Sequence, residues 1–226
     1  MKKWLSLWMI MIFAFVPAFG VYAQQTAVLA LGADLSADQR AVVLSEMGIA
    51  EEEAASYQTV YITNEMEHQY LDSSLGASVV GHNALSSVLL IPQESGAGLS
   101  VETHNINYCT IAMYRNALLT AGVQDAKVIM AAPSQVSGTA ALIGAVKAYE
   151  AYSGQEVSND AFETATDELV LTGELAEELD AEQVSELIAY LKQQVAENGL
   201  DDPDKLEDLV KQAAKEMNIT LTDAQV

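Results

Sequence analysis

A chain of 226 residues with one cysteine, Cys109, can form no intramolecular disulfide, so its core alone has to hold the fold. Histidine is scarce too. His68, His82 and His104 show neither His-x-x-x-His nor His-Glu-x-x-His spacing, and Asp201–Asp202–Pro203–Asp204 lacks the alternating ligands and glycine of a calcium loop. No metal site and no cofactor are therefore expected. The chain also lacks a phosphate-binding P-loop, a Gly-x-Gly-x-x-Gly turn and a Gly-x-Ser-x-Gly nucleophile elbow. Basic residues are few. Ten Lys and Arg stand against 32 Asp and Glu, a net charge of −22. Such a surface repels nucleic acid and anionic lipid or wall polymers. No nucleic-acid partner is expected, and an envelope or extracellular protein partner fits better.

Long apolar runs are missing except at the start. Lys2 and Lys3 precede an apolar core from Leu5 to Phe19, interrupted by Pro17, and Val21–Tyr22–Ala23 follows as a small-x-small cleavage site. Residues 1–23 read as a signal peptide cleaved after Ala23, which makes the protein secreted or extracytoplasmic and leaves no membrane span. No cysteine follows the run, so a lipid anchor is not expected. Without Lys2 and Lys3, 8 basic residues would remain against 32 acidic ones.

The expected architecture is an α/β domain over 24–154, a mixed sheet of strand–helix units, followed by an all-α acidic domain over 155–226. Thr26–Leu31 reads as a strand. Ser36 and Gln39 form a capping box, and Gly48 stops the helix they open. Tyr57–Thr63 is a β-branched strand, and Asn64 caps a short helix to Leu71. Asp72–Asn83 reads as a loop. Ala84–Ile91, ended by Pro92, and Leu99–Ile106 read as a hairpin across Glu94–Gly98, with Glu102 and His104 paired on its wetter face. Thr110 caps a helix stopped by Gly122. Ala126–Ala132 reads as a strand covered on both faces and stopped by Pro133, and Ser137 as the cap of a helix to Tyr152. The spacing from Ser36 to Gly48 matches that from Thr110 to Gly122, which suggests two similar strand–helix layers.

Beyond Gly154, glycine and β-branched runs give way to Glu, Ala, Leu, Lys and Gln in three amphipathic helices. The first runs from Ser158 and loosens near Gly173. Asp180 caps the second, and Asp202 with Pro203 opens the third. Leu221–Val226 repeats the layout of Leu179–Val184, where a helix opens. A further helix is therefore expected beyond Val226.

The segments Val101–Ile106, Met113–Leu118, Thr120–Val123 and Ser137–Leu142, in this order and with Gly32–Ala33–Asp34–Leu35 before them, resemble the YpuA-like family of exported proteins of Gram-positive bacteria, a domain of unknown function. The resemblance covers nearly all of the chain after the leader. It implies export and a bacterial source, and it brings no catalytic or binding residues.

In open sheets with strand–helix connections, ligands sit beyond the carboxyl ends of the strands. That rule selects Asp34, Thr63 with Asn64, Asn105 with Asn107 and Tyr108, and Ser134, Ser137 and Thr139 as candidate ligand-binding residues. Ser137–Gly138–Thr139 could hold a carboxylate or phosphate on free N–H groups, although plain capping needs the same residues. The parts of a hydrolase exist as Ser134 or Ser137, His104 or His82, and Asp34 or Glu102, without a motif that joins them. Arg115 reads as an ion-pair partner of neighbouring acids. The functional expectation is an exported, non-enzymatic binding or interaction module; the alternative is an envelope hydrolase with its site near Asp34, Asn105 and Ser137.

Overall fold

The computed structural model describes residues 27–72, 75 and 77–226, so the expected leader lies outside the described residues. Five strands form one mixed sheet: β1 (Val28–Gly32), β2 (Gln58–Ile62), β3 (Ser87–Pro92), β4 (Leu99–Ile106) and β5 (Ala126–Val136), in the order β2-β1-β3-β5-β4. β1 pairs parallel with β2, β4 pairs parallel with β5, and β3 runs antiparallel between β1 and β5.

The expected hairpin of β3 and β4 is absent, because β5 lies between them. The cause sits in the turn. Asp125, just before β5, accepts hydrogen bonds on Oδ1 from the N–H groups of Gly96 and Gly98 at 3.0 and 2.9 Å, and its carbonyl accepts from Gln93 at 2.7 Å. The turn is thereby fastened to the start of β5, and β4 departs along that strand's far side. These backbone bonds from Gly98 and Gly96 hold the Asp125 carboxyl below the usual range. Glu102 accordingly pairs with Lys127 of β5 at 2.8 Å, and His104 with Glu46 at 3.2 Å, rather than with each other.

Side chains of the central strands alternate between two cores. Leu29, Leu31, Leu89, Ile129 and Ala131 pack on one face with Val43 and Leu44 of α1 (Ala37–Glu46), Met47 at its end and Ala54 of α2 (Glu51–Ala54). Val28, Ala30, Val88, Leu90, Val128 and Met130 pack on the other, beneath α5 (Ile111–Thr120) and α6 (Thr139–Ser153). The two β–α–β units share cap and helix length: α1 and α5 each have 10 residues, opened by Ser36 and Thr110. Their placement differs. The first unit runs from inner strand to edge and the second from edge to inner strand. Both nevertheless step the same way across the sheet, yet α1 packs on one face and α5 on the other, so the two crossovers are of opposite hand.

α6 is buried nearly all round from Thr139 to Ala148, not on one stripe, because it lies between the sheet and the helices around it. Gly144 permits the approach: a Cβ there would stand 3.3 Å from both Ala30 and Val88. α3 (Asn64–Leu71) is capped by Thr63, whose hydroxyl accepts from the Met66 N–H at 3.2 Å, and not by Asn64. A short helix, α4 (Ala77–Val80), lies within the segment expected to be loop.

Three helices follow: α7 (Asn159–Ala176), α8 (Ala181–Asn198) and α9 (Pro203–Glu216), capped by Ser158, Asp180 and Asp202. α7 does not loosen at Gly173. The glycine lets the Tyr108 ring approach, since a Cβ there would meet the Tyr108 hydroxyl at 2.3 Å. Phe162, Ala165, Leu169 and Val170 of α7 belong to the same core as the sheet, whereas Leu187, Ala213, Ala214 and Ile219 form a separate cluster between α8 and α9.

A polar network ties α5, α7 and α8. Lys192 Nζ donates to both Glu168 oxygens at 2.9 Å and to the Asn116 carbonyl at 3.1 Å. Thr120 Oγ1 donates to Glu168 at 2.5 Å, and Asn116 Nδ2 donates to the Ser185 carbonyl at 2.8 Å. The Glu168 side chain is only 10% exposed. Glu168→Ala strips Lys192 and Thr120 of their charged acceptor, leaving both the Asn116 carbonyl, and is expected to cost about 1–2 kcal/mol. Amide exchange should then accelerate in α8 before it does in β1; equal acceleration of both would contradict this role.

Candidate strand-end site

Since β1, β2, β4 and β5 share one direction and β3 opposes it, four carboxyl ends and the start of β3 meet at one rim of the sheet. The rim is crowded. A Cβ on Gly32 would stand 2.2 Å from the Ala84 carbonyl oxygen, and the Gly32 N–H donates to Ser87 Oγ at 3.0 Å. Asp34 Oδ2 accepts from the Ala84 N–H at 2.8 Å, so this candidate fastens the approach to β3.

The start of α6 differs from expectation. Its N-cap is Gly138, at φ 97°, with no side-chain cap bond. Ser137 does not cap the helix; its Oγ lies 3.3 Å from Thr139 Oγ1. The capping acceptor comes from across the rim, where Ser86 Oγ takes the Ala141 N–H at 2.9 Å. A remote hydroxyl thus satisfies a first-turn donor that a neighbouring one usually serves. Upstream, β5 continues through Pro133 to Val136 and shifts register against β4 between His104 and Ile106. Asn105, at φ 60°, sits at that shift and donates from Nδ2 to the Ala132 carbonyl at 3.0 Å. Ser134 is exposed beside it.

Three candidates converge on a residue the sequence did not single out. Glu67 of α3 is 1% exposed, and its two carboxylate oxygens accept from Thr139 Oγ1 at 2.7 Å and from Asn64 Nδ2 at 3.1 Å. Thr139 leads on to Ser137, and Asn64 also donates to the Gly81 carbonyl at 3.5 Å. Burial pushes the Glu67 carboxyl up; the hydrogen bonds from Thr139 and Asn64 and the nearby His68 oppose the rise, and Asp34 adds to it. Nothing in the pattern Asn64–Glu65–Met66–Glu67 marks Glu67 as the inward acid, except that it lies three residues from Asn64 and four from Leu71, on the helix's inner face.

Tyr114 and Cys109 lie behind this cluster. Tyr114 is fully buried and donates its hydroxyl to the Gly138 carbonyl at 2.7 Å. Burial raises the Cys109 thiol to about 12, with a hydrogen bond to Tyr114 acting against the rise, so it is no nucleophile at neutral pH.

In front of the cluster the rim opens into a cleft of about 460 Å³, lined by Val79 to Asn83, Leu85, Asn107, Tyr108 and Gln135 to Ser137. Three candidates, Asn107, Tyr108 and Ser137, line it, while Asp34, Asn105 and Ser134 do not. No Asp, Glu, Lys or Arg lines it, in a protein of net charge −22. Among the described residues the carboxamides of Asn83, Asn107 and Gln135 have no side-chain partner. Each offers a donor pair and an acceptor. A second opening, between the starts of α5 and α8, holds Arg115 with Asp180 and Glu182, and among the described residues Arg115 makes no ion pair within 4.0 Å. Among the described residues there is no cluster of His, Cys, Asp and Glu fit to hold a metal, and no helix is long and apolar enough to cross a membrane.

The sequence matches the family model described as Protein of unknown function (DUF1002) over residues 31–226. It is 45% identical over 201 residues to the uncharacterized protein YpuA of Bacillus subtilis (strain 168), a match that covers 88% of this chain and 67% of that protein. No solved structure matches it.

Proposed function

We propose, on the premise that this chain belongs to the DUF1002 family of proteins of unknown function, that it is an exported binding protein without catalytic activity, and that its ligand sits in the strand-end cleft. The observation that carries this reading is the lining: three unpartnered carboxamides and the Ser137 and Tyr108 side chains beside apolar Val79, Val80, Leu85 and Val136, with no Asp, Glu, Lys or Arg. Such a surface suits an uncharged ligand that carries amide or hydroxyl groups, and the acidic exterior turns anions away. Export rests on the leader read in residues 1–23.

Two neutral amide-bearing probes test this by titration calorimetry: a trimer of N-acetylglucosamine and a blocked alanine tripeptide. Saturable binding of one is expected, weakened about 5- to 10-fold by Asn107→Ala, the loss of one hydrogen bond. Failure of both to bind, or binding that Asn107→Ala leaves unchanged, contradicts the cleft.

An envelope hydrolase is the second reading, because His82 and Ser137 line the same cleft. It needs the serine bonded to its base, and Ser137 Oγ is directed to Thr139 instead. Hydrolysis of either probe that Ser137→Ala abolishes would decide for the enzyme.

A further inference from the structure

β2 is one edge of the sheet, and among the described residues no strand pairs along its outer side; its main contacts are with β1 and α6. Natural edge strands are usually blunted by charge, proline or a bulge. Gln58–Thr59–Val60–Tyr61–Ile62 has none of these, and its register with β1 is unbroken. Val60 and Ile62 face α6, which turns Thr59 and Tyr61 to the opposite face. The helices there, α1 and α2, pack over the inner strands, so Tyr61 stands 62% exposed, the most exposed large apolar side chain described.

The ends of this edge are acidic. Glu51, Glu52 and Glu53 precede the strand and Glu65 follows it, all exposed, and among the described residues only Glu51 makes an ion pair, with Arg40, while Glu53 accepts from the Ala50 N–H. A second copy added antiparallel would set the acids before one strand against Glu65 of the other. That arrangement is repulsive. A segment with basic residues at both ends would meet these acids in complementary fashion.

We infer that β2 is a docking edge for an extended peptide segment of a partner, with β-branched or aromatic residues in its middle and Lys or Arg at both ends. Main-chain hydrogen bonds would extend the sheet by one strand, Tyr61 would cover the added strand's face, and the flanking charges would choose the partner. This site is separate from the strand-end cleft.

Selection of a random linear decapeptide library on the full chain tests it. Enriched peptides should carry basic residues on both sides of an uncharged β-forming stretch and should slow amide exchange at Gln58 to Ile62. Tyr61→Lys, at an exposed position where folding is easily checked, should weaken them at least about 10-fold. The triple variant Glu52→Lys, Glu53→Lys and Glu65→Lys should reject them and accept acid-flanked versions. Three results overturn the inference: no enrichment, enriched peptides without a basic bias or that protect another region, or a concentration-dependent dimer that already protects Gln58 to Ile62 without peptide.

Discussion

Gly138→Ala is expected to destabilise the protein by about 3 kcal/mol and to lower its melting temperature by roughly 10 °C. Two causes act together. At φ 97° an L side chain is strained, and the new Cβ would stand 2.1 Å from the Tyr114 hydroxyl and 2.6 Å from Ile106 Cγ2. Both neighbours are held in the core, so neither yields freely. Tyr114→Phe alone removes the bond to the Gly138 carbonyl and should cost about 1 kcal/mol. Combined with Gly138→Ala it also removes the nearer clash, so the double variant should be more stable than the sum of the two losses predicts. Chemical denaturation of the four proteins checks this. Strict additivity would mean that Gly138 and Tyr114 do not meet as described.

Glu67→Ala should cost about 2–3 kcal/mol, because the hydroxyl of Thr139 and the amide of Asn64 lose their common acceptor and a void remains. Glu67→Gln keeps the shape and should cost much less, since the Thr139 hydroxyl can turn to accept from the new amide. The two proteins also differ with pH. Burial raises the Glu67 carboxyl above its ordinary 4.5 in the folded state, so the folded protein holds this proton more tightly than the unfolded chain does. Stability from this group is therefore fully present below the ordinary value and is lost as pH rises through the folded one. The stability of Glu67→Gln relative to wild type should climb across that window and level off above it. A difference independent of pH would show that Glu67 is not held as the structure has it.

Much of this was legible because local chemistry decided it. Ser36, Thr110, Ser158, Asp180 and Asp202 each cap the helix they precede, since a cap is a bond to a neighbour two or three residues on. The strand-end rule brought Asn64, Ser137 and Thr139 into one list, and they meet around Glu67. What escaped was carried by contacts far apart in sequence. Glu94–Gly98 has the composition of a hairpin loop, and only Asp125 redirects it around β5. Ser137 has the position of a cap, but Ser86 does that work from 55 residues away. Pro133 reads as a strand stop, yet β5 passes through it where the register with β4 shifts. Glu67 has the residue type of the solvated acids around it, and its burial follows from where α3 lies against α6.

The strand-end cleft is the centre of the account, and side-chain amide resonances test it most directly. In the full chain labelled with nitrogen-15, titration with the N-acetylglucosamine trimer and then with the blocked tripeptide should move the side-chain amide signals of Asn83, Asn107 and Gln135 together. The amide of Asn105, already given to the Ala132 carbonyl, should stay still under the same additions. Saturable shifts of the three cleft carboxamides by one probe are the predicted result. No movement with either probe, or movement confined to α8 and α9, would contradict it.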